Sequence, residues 1–468
     1  MNATSAVVPV VVIGGGMAGL ATAYELHRQG VSFLLLEAGA RAGGVVLSEQ
    51  IDGYTVDGGP DALLVQKPEG IRLCEELGLG DRLVPTRPPR LAFIQRRGRL
   101  HPLPSASVLG IPTAWGPFAR TRLFSWAGKA RMGAELLVPR RRDDADESIG
   151  AFMMRRFGAE ATTYLAEPLL AGIHAGDVNR LSVRALFPRF VEAEHQHGSV
   201  LRAFRRQAAR ARPTDGAFRS LLGGLSDLVR AVVSALPSDS LRFRTPVARV
   251  RKDLDGFVLE TATGESLAAS SIVLSVPAFA TVSIVRDMAP ELSRLCGEIA
   301  YTSVATVALG FAREAVRHPL NGTGFVVPRV ENSGIMAGAW LSSKWPNRAP
   351  TGRVLLRAFL GGARDPQAIE KTDADLIRIS MAAMSPLLGI MGEPAMTRVY
   401  RWTRANAQHD VGHLDRVAAI DRALKGVPGL YVTGSGFRGV GIPDVVADAR
   451  ATARQVSSWL TSSVPASR

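Results

Sequence analysis

The sequence predicts an α/β protein whose leading sheet is parallel and is assembled from separated stretches of chain. Two observations carry that prediction. A strand, a glycine turn, a helix and a second strand occupy residues 8–37, and a matching strand, glycine-rich loop and helix occupy residues 429–460. Residues 8–13 are apolar and largely β-branched, as a strand buried on both faces should be. Residues 17–29 place Leu20, Tyr24 and Leu26 on a helical repeat, and Gly30 follows as a C-cap. Residues 32–37 form the second apolar strand, and a crossover of this kind implies parallel pairing.

Further along, residues 247–252 and 257–261 read as strands joined through the hairpin turn Asp255-Gly256. Thr263-Gly264 turns the chain again, into an apolar strand at 272–276 that Pro277 stops. Residues 429–433 are a short strand, and a helix is expected from 445 to 460. Between 99 and 223 helical periodicity dominates. Within it, residues 116–142 set Phe118, Phe124 and Trp126 among Arg120, Arg122, Lys129, Arg131, Arg140, Arg141 and Arg142. A basic amphipathic stretch with aromatics can lie on a membrane surface. The same pattern fits a helical pair whose aromatics pack inward.

A chain of 468 residues exceeds one ordinary core, so two or three domains are expected. Cys74 and Cys296 lie far apart without a C-x-x-C spacing, which points to a reducing cytoplasm rather than a disulfide framework. The net charge of +14 raises nucleic acid, an anionic membrane and acidic substrates as partners, although arginine-rich composition alone produces the same balance. No zinc-finger spacing, aromatic RNA-binding signature or long basic tail is present, so no nucleic-acid partner is expected. Residues 7–24 carry no charge, but Pro9 and Gly14-Gly15-Gly16 argue against a spanning helix. The lack of a basic leader argues against a secretory signal.

The first chemical motif is Gly14-x-Gly16-x-x-Gly19, after a strand and at the opening of a helix. Gly14 permits the tight turn, Gly16 lets the backbone approach a pyrophosphate, and Gly19 lets helix and strand pack closely. Glu37 ends the second strand, where a carboxylate can accept from ribose hydroxyls. After Glu37 come Arg41-Ala42-Gly43-Gly44 and Asp57-Gly58-Gly59-Pro60, where a nicotinamide enzyme would enter its next crossover helix. A third cluster, Gly434-Ser435-Gly436-Phe437-Arg438-Gly439-Val440-Gly441-Ile442-Pro443-Asp444, precedes the last helix. Three such clusters suit an extended cofactor, and FAD is favoured over NAD.

On these segments the chain resembles the flavin-containing amine oxidase superfamily. Within it, Glu167-Pro168-Leu169-Leu170-Ala171-Gly172-Ile173-His174-Ala175-Gly176-Asp177, with Leu181-Ser182 and Phe187-Pro188, is similar to the porphyrinogen oxidases of haem synthesis. The resemblance implies an α/β, Rossmann-like FAD-binding domain assembled from discontinuous segments (1–60, 220–290 and 398–468). With it come an α+β substrate domain (61–98 and 291–397) and a helical, membrane-associating domain (99–219). Cofactor contacts are expected from Gly14, Gly15, Gly16, Met17, Ala18, Gly19, Glu37, Ala38, Arg41, Gly43, Gly44, Gly58, Gly59, Pro60, Asp61, Val247, Trp402, Gly434, Val440, Gly441 and Ile442. The resemblance implies a six-electron oxidation of a tetrapyrrole, with a hydride passing from a meso carbon to the flavin and dioxygen reoxidising it to give hydrogen peroxide. Hard chemistry of this kind belongs to the cofactor, and no dedicated catalytic side chain is expected.

Two substrate subclasses compete, protoporphyrinogen IX and coproporphyrinogen III. Gly59-Pro60-Asp61-Ala62-Leu63-Leu64-Val65-Gln66-Lys67 resembles the coproporphyrin-forming subclass, as do Gly110-Ile111-Pro112-Thr113, Gly322-Thr323-Gly324-Phe325 and Lys344-Trp345-Pro346. Lys67 is expected to bind a propionate, and Ala92 stands where many protoporphyrinogen oxidases carry an arginine. By the same resemblance Gly172 offers a backbone carbonyl to the macrocycle, while Val326, Ala339 and Phe359 face its rings. The chain departs from the family at Ala407-Gln408-His409, where Pro-Gln-Tyr is usual.

His409-Asp410-Val411-Gly412-His413 has the histidine spacing of a zinc helix, but Asp replaces Glu and Gly412 weakens the helix, so no metal is expected. An amine oxidase or carotenoid desaturase remains an alternative, because Trp402 and Phe437 could form the aromatic pair of an amine oxidase. A flavin-bearing adaptor without catalysis is another. The expected location is the cytoplasm, with peripheral contact on the inner face of the membrane, and the resemblance implies transfer partners in haem synthesis.

Overall fold

The computed structural model describes residues 7–104, 106–210, 215–254 and 256–463. Val10, Val11 and Val12 are fully buried, so the strand Val8–Ile13 is covered on both faces, as its unbroken apolar run requires. It pairs in parallel with Phe33–Leu36 on one side and Ser266–Leu274 on the other. The predicted strand at 272–276 is the far half of this longer strand, whose residues Ile272, Val273 and Leu274 also pair with Leu430–Val432. The full sheet runs Leu241–Arg242, Phe33–Leu36, Val8–Ile13, Ser266–Leu274, Gly256–Thr261, Val247–Asp253, with Leu430–Val432 beside Ser266–Leu274. Asp255 of the predicted hairpin turn lies outside the described residues.

Helices Met17–Arg28 and Ile442–Ser463 pack together over one face of this sheet, around Leu20, Ala21, Val446 and Ala449. The last helix therefore begins three residues earlier than its apolar periodicity indicates. Its first turn, Ile442-Pro443-Asp444, is too polar and proline-marked to read as helix, although proline suits a first turn.

A second, seven-stranded sheet runs Met396–Ala407, Tyr301–Ala312, Arg353–Gly361, Ala337–Trp340, Gly324–Val326, Ala92–Arg96, Arg99–Pro102. Met396–Ala407 falls in the stretch that the sequence groups with the dinucleotide unit. It pairs instead along Tyr301–Ala312, because Tyr400 and Trp402 alternate with exposed residues in an antiparallel register. Arg99–Pro102 likewise leaves the helical stretch to close a hairpin with Ala92–Arg96.

Helices Trp115–Arg120, Trp126–Gly133, Ile149–Phe157, Pro188–His197 and Val200–Arg210 surround a third core that includes Phe118, Phe152, Phe157, Leu165, Phe190 and Phe204. Phe118 and Phe124 point inward, whereas Trp126 and Leu137 are 75% and 86% exposed. The helical-pair reading of residues 116–142 thus holds for Phe118 and Phe124 but not for Trp126. Among the described residues, no helix is long and apolar enough to cross a membrane.

Candidate active site

The three glycine clusters, far apart in sequence, converge. Gly14 has a φ of 110°, and Ser275 Oγ donates to the carbonyl oxygens of Ile13 and Gly14 at 2.8 and 2.9 Å, pinning the turn to the neighbouring strand. A Cβ on Gly19 would overlap the Gly14 carbonyl, which is why the helix can start so close to the turn. A Cβ on Gly16 would meet nothing within 4 Å. Open space at this glycine, at the N-terminus of a helix, is what a pyrophosphate requires. Gly43 folds over the turn, donating from its N–H to the Gly15 carbonyl at 2.7 Å, and Arg41 braces the same loop through the Gly44 carbonyl at 2.6 Å. Gly434 closes the group: a Cβ there would lie 3.6 Å from that of Ala18. Met17 and Ala18 are buried beneath it.

The Glu37 carboxylate accepts from Gly15 N–H at 2.5 Å and Gly39 N–H at 2.6 Å. A carboxylate has about four acceptor positions, so two remain for ribose hydroxyls, and the residue both braces the turn and fits its expected ligand. Thr245 N–H donates to the Glu37 carbonyl at 2.9 Å and Arg244 N–H to that of Gly39, leading the chain past exposed Ala38 to half-buried Val247.

Buried groups of the second sheet and the chain around it hold the Asp57-Gly58-Gly59-Pro60-Asp61 segment. Arg357 donates to the carbonyls of Asp57 and Gly59 at 2.5 and 2.8 Å and to Asp61 Oδ1 at 3.1 Å. Thr306 Oγ1 and Trp402 Nε1 both donate to the Gly58 carbonyl, at 2.8 and 2.9 Å. Lys344 and Trp345 donate to Asp61 Oδ2 at 2.7 and 2.8 Å. Burial would push the Asp61 carboxyl up, but Lys344 and Arg357 outweigh it and hold the group well below the usual carboxylate range. With its side chain so committed, Asp61 is a brace for the glycine segment. Arg348, also fully buried, donates to Asp57 Oδ2 at 3.1 Å.

One face of the second sheet packs on a core of Phe325, Trp340, Leu356 and Ala358. The other face carries Val326, Ala339 and Phe359, all half-buried, and the register places Ala337 between Val326 and Phe359. Ala92 pairs with Gly324 on this same face. Phe359 is registered against Thr306, so the face runs directly to the glycine segment. The Glu167–Asp177 motif borders it: its first residues end a π-helix, Thr162–Ala171, with Pro168 inside, and Gly172–His174 follow as a 3-10 turn; π-helical turns are frequent at functional sites. Glu167 ties it to the second sheet, accepting from Arg329 N–H at 2.8 Å and from Arg364 at 3.3 Å. The Gly172 carbonyl accepts from Ala175 N–H at 3.0 Å, which leaves one lone pair. Lys67 meets Asp444 at the start of the last helix, and His174 adjoins both. Burial, helped by Lys67, pushes the His174 imidazole down to about 4.

Sequence reasoning assigned no role to Arg357, Arg348, Lys344, Thr306 or His174. A lone arginine within the apolar run Val354-Leu355-Leu356-Arg357-Ala358-Phe359 was the available signal, because a charge in such a strand needs a buried partner. The proposed pairing of Trp402 with Phe437 is not formed. Phe437 packs in the core of the first sheet, and Trp402 stacks on Tyr400 with centroids 6.5 Å apart. His409 and His413 do not share a helix, since His413 opens the helix His413–Lys425.

Fold and site together define a dinucleotide-dependent oxidoreductase. Residues 17–457 match the model of the flavin-containing amine oxidoreductases, and the chain belongs to that family. Its cofactor is FAD. The chain is 35% identical to a coproporphyrinogen III oxidase of Bacillus subtilis, covering 97% of this chain and 98% of that one. It is 28% identical to a chloroplastic protoporphyrinogen oxidase of Nicotiana tabacum, covering 96% and 86%. A crystal structure from Exiguobacterium sp. 255-15, of a protein provisionally named a protoporphyrinogen oxidase, superposes with a TM-score of 0.86 at 32% identity, covering 97% of this chain and all of that one.

Proposed function

We propose that this chain oxidises coproporphyrinogen III to coproporphyrin III in haem biosynthesis, with dioxygen as the final acceptor and hydrogen peroxide as the by-product. The observation that carries the reading is the half-buried, apolar sheet face of Val326, Ala339 and Phe359, which runs up to the glycine segment at Gly58. Bound FAD supplies the hydride-accepting chemistry. The chain supplies position. Residues Gly14 to Gly19 take the pyrophosphate, Glu37 and Ala38 the adenosine ribose, and Gly43, Gly44, Gly58, Gly59, Gly434, Val440, Gly441 and Ile442 lie along the rest. Val247 and Trp402 border it, and Arg41 and Asp61 act by bracing loops.

Lys67 is the propionate ligand in this reading. Its ammonium is half exposed, and its partner Asp444 is a surface carboxylate that a propionate can displace. Ala92 leaves the opposite position without a cation, which suits the coproporphyrin-forming subclass. An amine oxidase is disfavoured because Phe437 is withdrawn into the core. The proposed division into FAD-binding, substrate and helical domains is supported by separate cores around Leu20, Phe325 and Phe152, with Met396–Ala407 and Arg99–Pro102 joining the substrate sheet. A cytoplasmic protein with peripheral membrane contact through residues 116–142, and with tetrapyrrole transfer partners, completes the proposal.

Anaerobic stopped-flow mixing of the holoenzyme with each porphyrinogen tests it. Flavin bleaching that is faster with coproporphyrinogen III is expected. Faster bleaching with protoporphyrinogen IX reassigns the substrate, and bleaching with neither removes the oxidase reading.

A further inference from the structure

We infer that His409 and His413 are positioning residues for the cofactor: a stacked pair of neutral imidazoles that holds the backbone of Ser435 and Phe437 in the turn lying against FAD. The inference rests on the proposed placement of residues 434–442 along the flavin.

The two rings stack with centroids 3.8 Å apart and planes 10° apart, and the two residues are 2% and 0% exposed. His409 Nε2 lies 3.0 Å from the Ser435 carbonyl oxygen and His413 Nε2 lies 2.8 Å from that of Phe437. A carbonyl only accepts, so both Nε2 atoms carry the proton and both rings donate. The pair thus clamps two carbonyls on alternate residues of one turn, which Phe437 N–H closes by donating to the Gly434 carbonyl at 3.1 Å.

The rings must be neutral to sit this way. His413 Nδ1 is buried and has no hydrogen-bond partner among the described residues, so a proton there would be an unmatched buried donor. His409 is faced by His413 and His174, while His413 is faced by Arg416, Asp410 and Asp146. Burial dominates at both rings and lowers their affinity for a second proton.

The clamp is anchored from behind. Gln408 N–H donates to the Ala300 carbonyl at 2.9 Å, and its side chain reaches the His174 carbonyl at 3.0 Å. The His409 carbonyl accepts from Ser182 N–H at 2.8 Å, and Gly412 N–H donates to Asp146 at 3.0 Å. The segment 408–413 is therefore fixed to the second sheet and to the helical part at once. The turn it serves contains Gly434, Gly436, Gly439 and Gly441, whose lack of side chains leaves little to pack against. Asp448 holds its first residue, accepting from Gly434 N–H at 3.3 Å, and the imidazoles hold the next stretch. A ligand-facing backbone needs such support to stay within roughly 0.5 Å of its productive position.

The test is the rate of FAD release from holoenzyme on dilution, read as recovered flavin fluorescence. His409→Phe and His413→Phe keep a flat ring without a donor, and His413→Gln restores an N–H near the Nε2 position. Release about tenfold faster is expected in both Phe variants, with His413→Gln returning to within about threefold of wild type. Wild-type release in both Phe variants overturns the inference. Equal loss in His413→Phe and His413→Gln also overturns it, because the role would then be packing. Where His413→Phe does not fold, His409→Phe against His409→Gln makes the same comparison. Gly441→Val separates the two readings. If it retains FAD like wild type, the placement of the turn fails and the inference with it. If it loses FAD while the Phe variants keep theirs, only the clamp fails.

Discussion

Lys67 Nζ and Asp444 Oδ2 stand 2.7 Å apart across 377 residues of sequence, joining the segment after the second glycine cluster to the first turn of the last helix. The lysine side chain is 50% exposed and the aspartate 23%. Exposed pairs of this kind contribute about 0–1 kcal/mol, so the partner is exchangeable.

A buried propionate needs a cation, and coproporphyrinogen III has four propionates where protoporphyrinogen IX has two. Lys67→Ala should lower kcat/KM on coproporphyrinogen III by about tenfold, from the loss of one charge-assisted hydrogen bond, with a smaller loss on protoporphyrinogen IX. Lys67→Arg should recover part of it, since a planar fork does not reproduce an ammonium. Unchanged steady-state rates on both substrates would remove Lys67 from the site.

Two glycines of the first turn should fail in different ways. A side chain on Gly16 enters open space, so Gly16→Val should abolish FAD binding yet leave the apoprotein melting temperature close to wild type. A side chain on Gly19 strikes the Gly14 carbonyl, so Gly19→Val should lower stability as well. Flavin content and thermal melts check both, and bound FAD in Gly16→Val would contradict the pyrophosphate assignment.

His174 and His409 are held down from the ordinary imidazole value of 6.5, to about 4 and about 3, by burial first and by Lys67 and His413 second. The unfolded chain takes up protons below about pH 6.5 while these folded rings stay neutral. Their contribution to stability is therefore complete above that pH and is lost as pH falls toward about 4 for His174 and about 3 for His409. The melting temperature should drop over that window, and His174→Gln should flatten part of the slope. An identical slope in the variant would assign the acid sensitivity elsewhere.

Peripheral membrane contact predicts salt-sensitive sedimentation with anionic liposomes. Exposed Trp126, with Lys129 Nζ 4.2 Å from its ring centroid, and exposed Leu137 present apolar and basic groups on one stretch. Each basic residue near such a surface contributes about 1 kcal/mol, screened by salt. Trp126→Ala should weaken binding, and equal binding to neutral and anionic vesicles would count against the proposal.

Residues 8–37 determined their own structure. An apolar β-branched run, a glycine turn and a helical repeat are governed by neighbours a few residues away, so strand, turn, helix and Glu37 were legible together. The glycine clusters at 43, 58 and 434 were legible as places of close backbone approach for the same reason, since such approach requires small residues wherever it occurs. What the chain does not spell out is who meets whom across hundreds of residues. Met396–Ala407 belongs to the second sheet because its alternating pattern finds a matching antiparallel neighbour there, which no local signal specifies. Arg357 reads as one charge in an apolar strand, and only packing shows it holding Asp57, Gly59 and Asp61 of the second glycine cluster. The two histidines at 409 and 413 have the spacing of a metal helix. The residues between them already argue against such a helix, but only tertiary structure shows where the rings go: the carbonyls of Ser435 and Phe437 lie within reach, and a buried N–H goes to the partner that packing provides.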